Sequence, residues 1–142
     1  MWIILPGLYL GDESDASNGD ALEFLGVSHV LNCAAEVRAP RFPGIRYLHL
    51  NLADPDPRFA SCIPEICAFI EEGRRCGGVL VHCRMGRNRS ASAVIASLCS
   101  QGASLDEALQ TLEDRLSEVG VSFLLPAQEF LDQIEEHFGE PA

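Results

Sequence analysis

The stretch from Val79 to Ser90, VLVHCRMGRNRS, decides the fold of this chain. Its first three residues are apolar and follow a Gly-Gly pair, a pattern typical of a short buried strand. Residues 90–100, SASAVIASLCS, have the composition and the apolar spacing of a helix. The stretch therefore predicts a strand, a tight loop that ends at Arg89, and a helix.

The predicted loop has the chemistry of an anion-binding site. A helix N-terminus presents unpaired backbone N–H groups and the positive end of its dipole. Residues 84–89 can curl over that end and add further N–H groups, with Gly86 providing the backbone freedom. Arg89 adds a guanidinium that matches two phosphate oxygens. The same positive field favours the thiolate form of Cys83, so we expect a nucleophile aimed at a bound phosphate.

At these residues the chain resembles a known family. The pattern His82-Cys83-x-x-Gly86-x-x-Arg89-Ser90 resembles the signature of the cysteine-dependent protein tyrosine phosphatases. The alternative is a structural cysteine buried at a strand end. That alternative requires none of the other residues of the pattern, which are His82, Gly86, Arg89 and Ser90. The segments IILPGLYLG and ALEFLGVSHVLNCA are similar to the N-terminal half of dual-specificity phosphatases, and the likeness covers about residues 3–138.

The resemblance implies a role for each candidate catalytic residue. Cys83 attacks the phosphorus, and Arg89 and the loop N–H groups hold the phosphate oxygens. Asp54 lies in the register of the family's general acid, which protonates the leaving oxygen and later activates water. Asp56, two residues further on, is the alternative acid. Ser90 donates a hydrogen bond to the departing thiolate.

The rest of the loop is predicted to bind phosphate. The residues expected to contribute backbone amides and to shape the rim, together with Arg89, are Arg84, Met85, Gly86, Arg87 and Asn88. We expect His82 to orient the loop through hydrogen bonds. Asn88 departs from the Ser that dual-specificity enzymes usually carry there. An Asn directly before the arginine is similar to the pattern of phosphatases that act on the RNA 5′-triphosphate end. Those enzymes usually have a Thr-Gly pair after the arginine, where this chain has Ser90-Ala91.

Composition limits the possible partners. The chain has 142 residues and a formal net charge of −11, which argues against broad binding of nucleic acid or of anionic membranes. No apolar run approaches the roughly 20 residues that cross a bilayer. The apolar N-terminus is predicted to be a strand and not a signal peptide. A nucleophilic thiol favours a reducing compartment, so we expect a cytoplasmic protein.

The order of the predicted elements indicates an α/β fold. Strands alternate with helices, which predicts a mostly parallel twisted sheet of about four to five strands with helices on both faces, as in protein tyrosine phosphatases. We expect residues 1–142 to form one catalytic domain. Residues 11–20 are predicted to be a polar loop, and Pro126 is predicted to start a last amphipathic helix.

These observations predict a phosphatase that needs neither metal nor cofactor. The expected substrates are phosphotyrosine and phosphoserine or phosphothreonine in proteins. The alternatives are a phosphoinositide, an RNA 5′-phosphate or a phosphoglucan as substrate, or a module that binds phosphate without turnover. The cysteines form no CxxC pair. Cys33 follows a strand that we expect beside the central one. Its side chain is predicted either to pack in the core or to form a disulfide with Cys83 under oxidation. The oligomeric state is not readable from the sequence.

Overall fold

A five-stranded mixed sheet forms the centre of the computed structural model, which describes residues 1–85 and 87–139. The strands lie in the order β1-β2-β5-β3-β4. They are β1 (Trp2–Leu5), β2 (Leu8–Gly11), β3 (His29–Asn32), β4 (Arg46–His49) and β5 (Val79–His82). The helices are α1 (Glu13–Ala16), α2 (Gly19–Phe24), α3 (Phe59–Cys76), α4 (Arg89–Ser100), α5 (Leu105–Glu118) and α6 (Gln128–Phe138).

The strand predicted from the opening stretch is the middle strand of the sheet. All four residues of β5 are buried, and the strand pairs in parallel with β2 on one side and with β3 on the other. A strand covered on both faces is apolar along its whole length, which explains the continuous run at Val79–Val81. Because β2, β3 and β5 are parallel, their carboxyl ends meet at one edge, where the loop after β5 begins.

Helices cover both faces of the sheet, as predicted. Val79 and Val81 point into the larger core, which is completed by α3, α4, α5 and α6. Leu80 points into a smaller core, which α1 and α2 close with Ala16 and Leu22. The period of two along β5 therefore divides the interior into two layers. The predicted α/β class and its mostly parallel sheet are confirmed.

The N-terminal segment differs from the prediction in one element. Residues 11–20 were expected to be a loop, but Glu13–Ala16 form a short helix. Asp12 caps this helix, because its side chain accepts from the backbone N–H of Asp15 while the Asp15 side chain accepts from the N–H of Asp12. Four residues are too few to show a helical apolar period, so the pattern of the sequence missed it.

The last helix and the first strand also differ from the prediction. The last helix begins at Gln128 and not at Pro126. The N-terminal segment, predicted as a strand, forms the two antiparallel strands β1 and β2, and Pro6-Gly7 is the turn between them, where Gly7 has φ of 78°. Within the described part of the chain, no helix is both long enough and apolar enough to cross a membrane.

Candidate active site

The predicted strand, loop and helix form the floor of the candidate site. Cys83 directly follows β5 and is 3% exposed, and α4 begins at Arg89. Helix α4 is buried from Arg89 to Cys99, so its first turn faces the loop from inside the protein. Gly86, which was expected to let the loop curl, lies outside the described residues.

Cys83 and Ser90 meet at the start of the helix. The Sγ of Cys83 lies 3.1 Å from the Oγ of Ser90, and Ser90 is fully buried. A hydroxyl at this distance can donate a hydrogen bond to a thiolate. The geometry is therefore compatible with the role predicted for Ser90, and that role stays a prediction.

Arg89 is held by a residue that the sequence analysis did not identify. Its Nη1 donates to the Oε1 of Glu36 at 2.7 Å, its Nη2 donates to Oε2 at 2.6 Å, and Nη1 also donates to the carbonyl of Leu52 at 2.9 Å. This two-pronged contact lowers the pKa of Glu36 from 4.5 to about 2, mainly through the hydrogen bonds from Arg89. The same bonds raise the pKa of Arg89, although burial opposes the increase. The guanidinium is therefore fixed in one orientation.

One donor of that guanidinium is left without a partner in the described part of the chain. Among the described residues, the Nε of Arg89 is buried without a hydrogen-bond partner. Buried donors are rarely left unsatisfied in proteins. The structure does not show this N–H facing the cavity, so the phosphate-binding role of Arg89 stays a prediction.

The two candidate acids have different surroundings. Asp56 is 2% exposed, and its carboxylate accepts from the backbone N–H groups of Ala53 and Arg58 and from the Arg58 guanidinium. Bonds from Arg58 hold the pKa of Asp56 well below its usual range, so this carboxylate stays ionised and tied to its own loop. Asp54 is exposed and faces the loop that carries Cys83.

A cavity of about 390 Å³ brings most of the predicted residues together. Its lining consists of Glu36, Asp54, Cys83, Arg84, Met85, Arg87, Asn88 and Arg89. Three of the four predicted catalytic residues, Cys83, Arg89 and Asp54, share this space, and Ser90 lies behind Cys83. The cavity therefore brings a thiol, a guanidinium and a carboxyl group around one space, and their catalytic roles stay predictions.

His82 lies beneath the site. It is fully buried, and its Nδ1 lies 3.5 Å from the carbonyl oxygen of Cys83. Burial lowers the pKa of His82 to about 4, because desolvation disfavours the imidazolium. A histidine that is neutral near pH 7 and points at the backbone fits an orienting role better than proton transfer.

Cys33 lies close to the site in the larger core. Strand β3, which precedes it, is the neighbour of β5, as expected. Cys33 forms no disulfide in the structure and is fully buried, and burial raises the pKa of its thiol well above the ordinary value. Its environment is that of a core side chain, and the oxidative disulfide with Cys83 stays a prediction. No group of three or more potential metal-ligating side chains occurs among residues 1–85 and 87–139.

Known proteins share both the sequence pattern and this architecture. The family described as "Dual specificity phosphatase, catalytic domain" matches residues 8–138. The chain is 41% identical over 111 residues to Protein phosphatase Slingshot homolog 3 of Mus musculus, covering 75% of this chain and 17% of that protein. It is 35% identical over 116 residues to Dual specificity protein phosphatase 1 of Arabidopsis thaliana, covering 80% of this chain and 59% of that protein.

A solved structure has the same architecture. The crystal structure of human DUSP28 superposes with a TM-score of 0.86 at 27% identity, covering 97% of this chain and 95% of that one. The chain spans less than two thirds of the length of the two curated relatives. The family match over residues 8–138 nonetheless includes the loop and both candidate acids. The chain therefore belongs to the dual specificity phosphatase family, as predicted from its sequence, and its class is that of the cysteine-dependent phosphatases.

Proposed function

We propose that this protein hydrolyses phosphate monoesters of tyrosine and of serine or threonine in other proteins, through a phosphocysteine intermediate. The observation that carries the proposal is the shared cavity in which Cys83, Arg89 and Asp54 converge. Each of the three supplies a different part of phosphoryl transfer: the nucleophile, the charge on the phosphate oxygens and the proton for the leaving group.

The first half of the reaction transfers the phosphoryl group to sulfur. The Cys83 thiolate attacks phosphorus, a P–S bond forms, and the P–O bond to the leaving oxygen breaks. Asp54 gives its proton to that oxygen, so the product leaves as a neutral alcohol or phenol. Arg89, held by Glu36, and the loop N–H groups stabilise the phosphate oxygens throughout.

The second half returns the enzyme to its starting state. The Asp54 carboxylate takes a proton from water, the water oxygen bonds to phosphorus, and the P–S bond breaks. The thiolate that departs receives a hydrogen bond from the Ser90 hydroxyl, which lies 3.1 Å away. Inorganic phosphate is released and Asp54 is protonated again, so protons and electrons balance over the cycle.

An open site supports activity on both kinds of phosphorylated side chain. Met85 at the rim is 66% exposed, and Asp54 and Arg84 are exposed as well. A shallow opening lets a short phosphoserine reach Cys83, whereas a deep pocket would admit only the longer phosphotyrosine. The net charge of −11 disfavours long polyanions as substrates. We therefore propose phosphorylated proteins as the partners.

The compartment follows from the chemistry of the nucleophile. A thiolate that attacks phosphorus is also the form that oxidises, so it works in a reducing environment. We place the protein in the cytoplasm on this ground.

The deciding experiment measures hydrolysis with a chelator present. We expect release of phosphate from p-nitrophenyl phosphate, from a phosphotyrosine peptide and from a phosphoserine peptide, and loss of all three activities in Cys83→Ser. Mass spectrometry of acid-quenched Asp54→Ala should detect phosphate on the peptide that contains Cys83, because the variant lacks the base for the second step.

The substrate is tested in parallel on a phosphoinositide and on triphosphorylated RNA. A preference of tenfold or more in kcat/KM for either one over the phosphopeptides would overturn the proposed substrate class. Activity that survives in Cys83→Ser, or phosphate that remains bound without turnover in the wild type, would overturn the mechanism.

A further inference from the structure

Asn88, the residue that departs from the family pattern, joins three segments of the chain. Its Nδ2 donates to the Oδ1 of Asp54, and its Oδ1 accepts from the backbone N–H of Ala127 at 2.7 Å. These partners are 34 and 39 residues away in sequence. A single amide therefore connects the loop of Cys83 to the loop of Asp54 and to the start of α6.

The backbone N–H of Ala127 determines the orientation of the amide. A backbone N–H only donates hydrogen bonds, so the amide oxygen faces Ala127 whether or not Asp54 carries a proton. The amide must therefore turn its NH₂ group to Asp54 and its oxygen to Ala127. Serine, the usual residue here, has a shorter side chain with one hydroxyl and cannot span both partners.

The anchor beyond Asn88 is rigid. Phe130 of α6 is fully buried and packs edge-to-face on Phe59 of α3, with 5.1 Å between ring centroids. Gln133, one turn further along α6, donates to the carbonyl of Asp56 at 2.9 Å and accepts from the N–H of Ala60 at 2.7 Å. The same helix thus holds the loop of Asp54 from its far side as well.

We infer that Asn88 is a positioning residue for the general acid: braced on the N–H of Ala127, its amide holds the Asp54 carboxyl over Cys83. The inference rests on the proposed function, since it takes Asp54 as the proton donor. Asn88 does not touch the leaving group in this scheme and acts only through Asp54. Its contribution is to keep the acid within reach of the leaving oxygen, where small displacements are costly to rate.

This role has a signature that a merely structural role lacks. A good leaving group such as p-nitrophenolate departs without a proton, whereas the alkoxide of phosphoserine needs one. Loss of the acid or of its positioning must therefore raise the ratio of kcat/KM for p-nitrophenyl phosphate to kcat/KM for a phosphoserine peptide. Damage to the loop as a whole lowers both values and leaves this ratio unchanged.

The experiment measures that ratio in the full chain. Asp54→Ala should raise it by about 100-fold, the usual contribution of general acid catalysis. Asn88→Ser should raise it by about tenfold. In the Asp54→Ala background, Asn88→Ser should change it by less than about twofold, because residues that act through one another are not additive.

A matched pair at Ala127 tests the brace from outside the cavity. Ala127 has φ of −55°, close to the value that proline imposes, so Ala127→Pro removes the N–H while keeping that φ. It should raise the ratio by about threefold. Ala127→Ser keeps the N–H and should retain the wild-type ratio. The rate of Cys83 alkylation by iodoacetate monitors the integrity of the loop in every variant.

The outcomes separate this inference from the proposed function. If Asp54→Ala leaves the ratio unchanged, the acid is misassigned, and this inference falls together with the role of Asp54 in the proposed mechanism. If Asp54→Ala raises the ratio but Asn88→Ser does not, or if the effect of Asn88→Ser persists without Asp54, the positioning role is wrong while the phosphatase mechanism stands. Equal ratios for Ala127→Pro and Ala127→Ser would overturn the bracing by α6.

Discussion

Replacing Glu36 tests how the site holds its arginine. Glu36→Gln keeps the shape of the side chain but removes the charge that accepts both bonds from Arg89. The fall in the pKa of Glu36 from 4.5 to about 2 corresponds to about 3 kcal/mol of preferential interaction with the folded state. Because the Glu36 side chain is 45% exposed, solvent screening reduces this to about 1 kcal/mol of stability.

The pH dependence has a definite sign. A carboxyl whose folded-state pKa is lowered stabilises the protein above its unfolded pKa of 4.5 and loses this contribution as pH falls towards 2. Urea denaturation should therefore show Glu36→Gln less stable than wild type by about 1 kcal/mol at pH 7, with the difference shrinking below pH 4.5. The corresponding loss in melting temperature is about 3 °C for a chain of this size.

We expect Glu36→Gln to lower the catalytic activity by more than its loss of folding stability alone would explain. Without Glu36, the guanidinium of Arg89 can rotate away from the phosphate oxygens, and we expect kcat/KM for p-nitrophenyl phosphate to drop by about tenfold or more. Glu71→Gln is the matched control, since Glu71 is 54% exposed and pairs with Arg75 on the surface of α3. It should cost less than about 0.5 kcal/mol. Equal kcat/KM values for the two variants would refute the reasoning.

Two further predictions concern the frame around the site. Asp56→Asn places an amide against the donors of Ala53 and Arg58 and should cost about 2–3 kcal/mol in urea denaturation at pH 7. The ratio of kcat/KM for p-nitrophenyl phosphate to kcat/KM for the phosphoserine peptide should stay at the wild-type value in the folded variant. A raised ratio would make Asp56 the acid. Because its pKa is lowered, this contribution is present above pH 3.8 and is lost at lower pH. Gly73→Ala brings a new Cβ to 2.7 Å from the Cβ of Val79 and 2.9 Å from that of His29, and should cost about 1–3 kcal/mol by overpacking; a loss below about 0.5 kcal/mol would contradict this.

The choice between the two candidate acids shows where sequence reasoning stops. Asp54 and Asp56 lie two positions apart in a loop with two Asp-Pro steps, and only the family register distinguished them. In the structure, Asp56 is buried under hydrogen bonds from its own loop, whereas Asp54 is exposed to the cavity. Burial depends on how the loop packs against α3 and α6, and no local pattern reports that packing.

Glu36 shows the same limit more sharply. It lies in a loop rich in turn-forming residues, and nothing in its spacing pointed to Arg89, which is 53 residues away. The general rule that a buried arginine needs an acidic partner applies to Arg89, but only the structure shows that it is 4% exposed. That rule requires an acid but does not say which of the 21 acidic residues supplies it.

The sequence by itself determined the central strand, the turn onto Arg89 and the helix behind it, because these depend on apolar periods and on residues within a few positions of each other. It also predicted the chemistry of that turn from a thiol and a guanidinium on one loop, and the cavity that Cys83 and Arg89 share shows that the fold brings them together. Only the tertiary structure decided which distant side chains complete the site: Glu36 on the guanidinium, and Asn88 between Asp54 and Ala127. Such contacts arise where separate loops meet at the carboxyl edge of the sheet. No local pattern in the sequence shows which loops meet there.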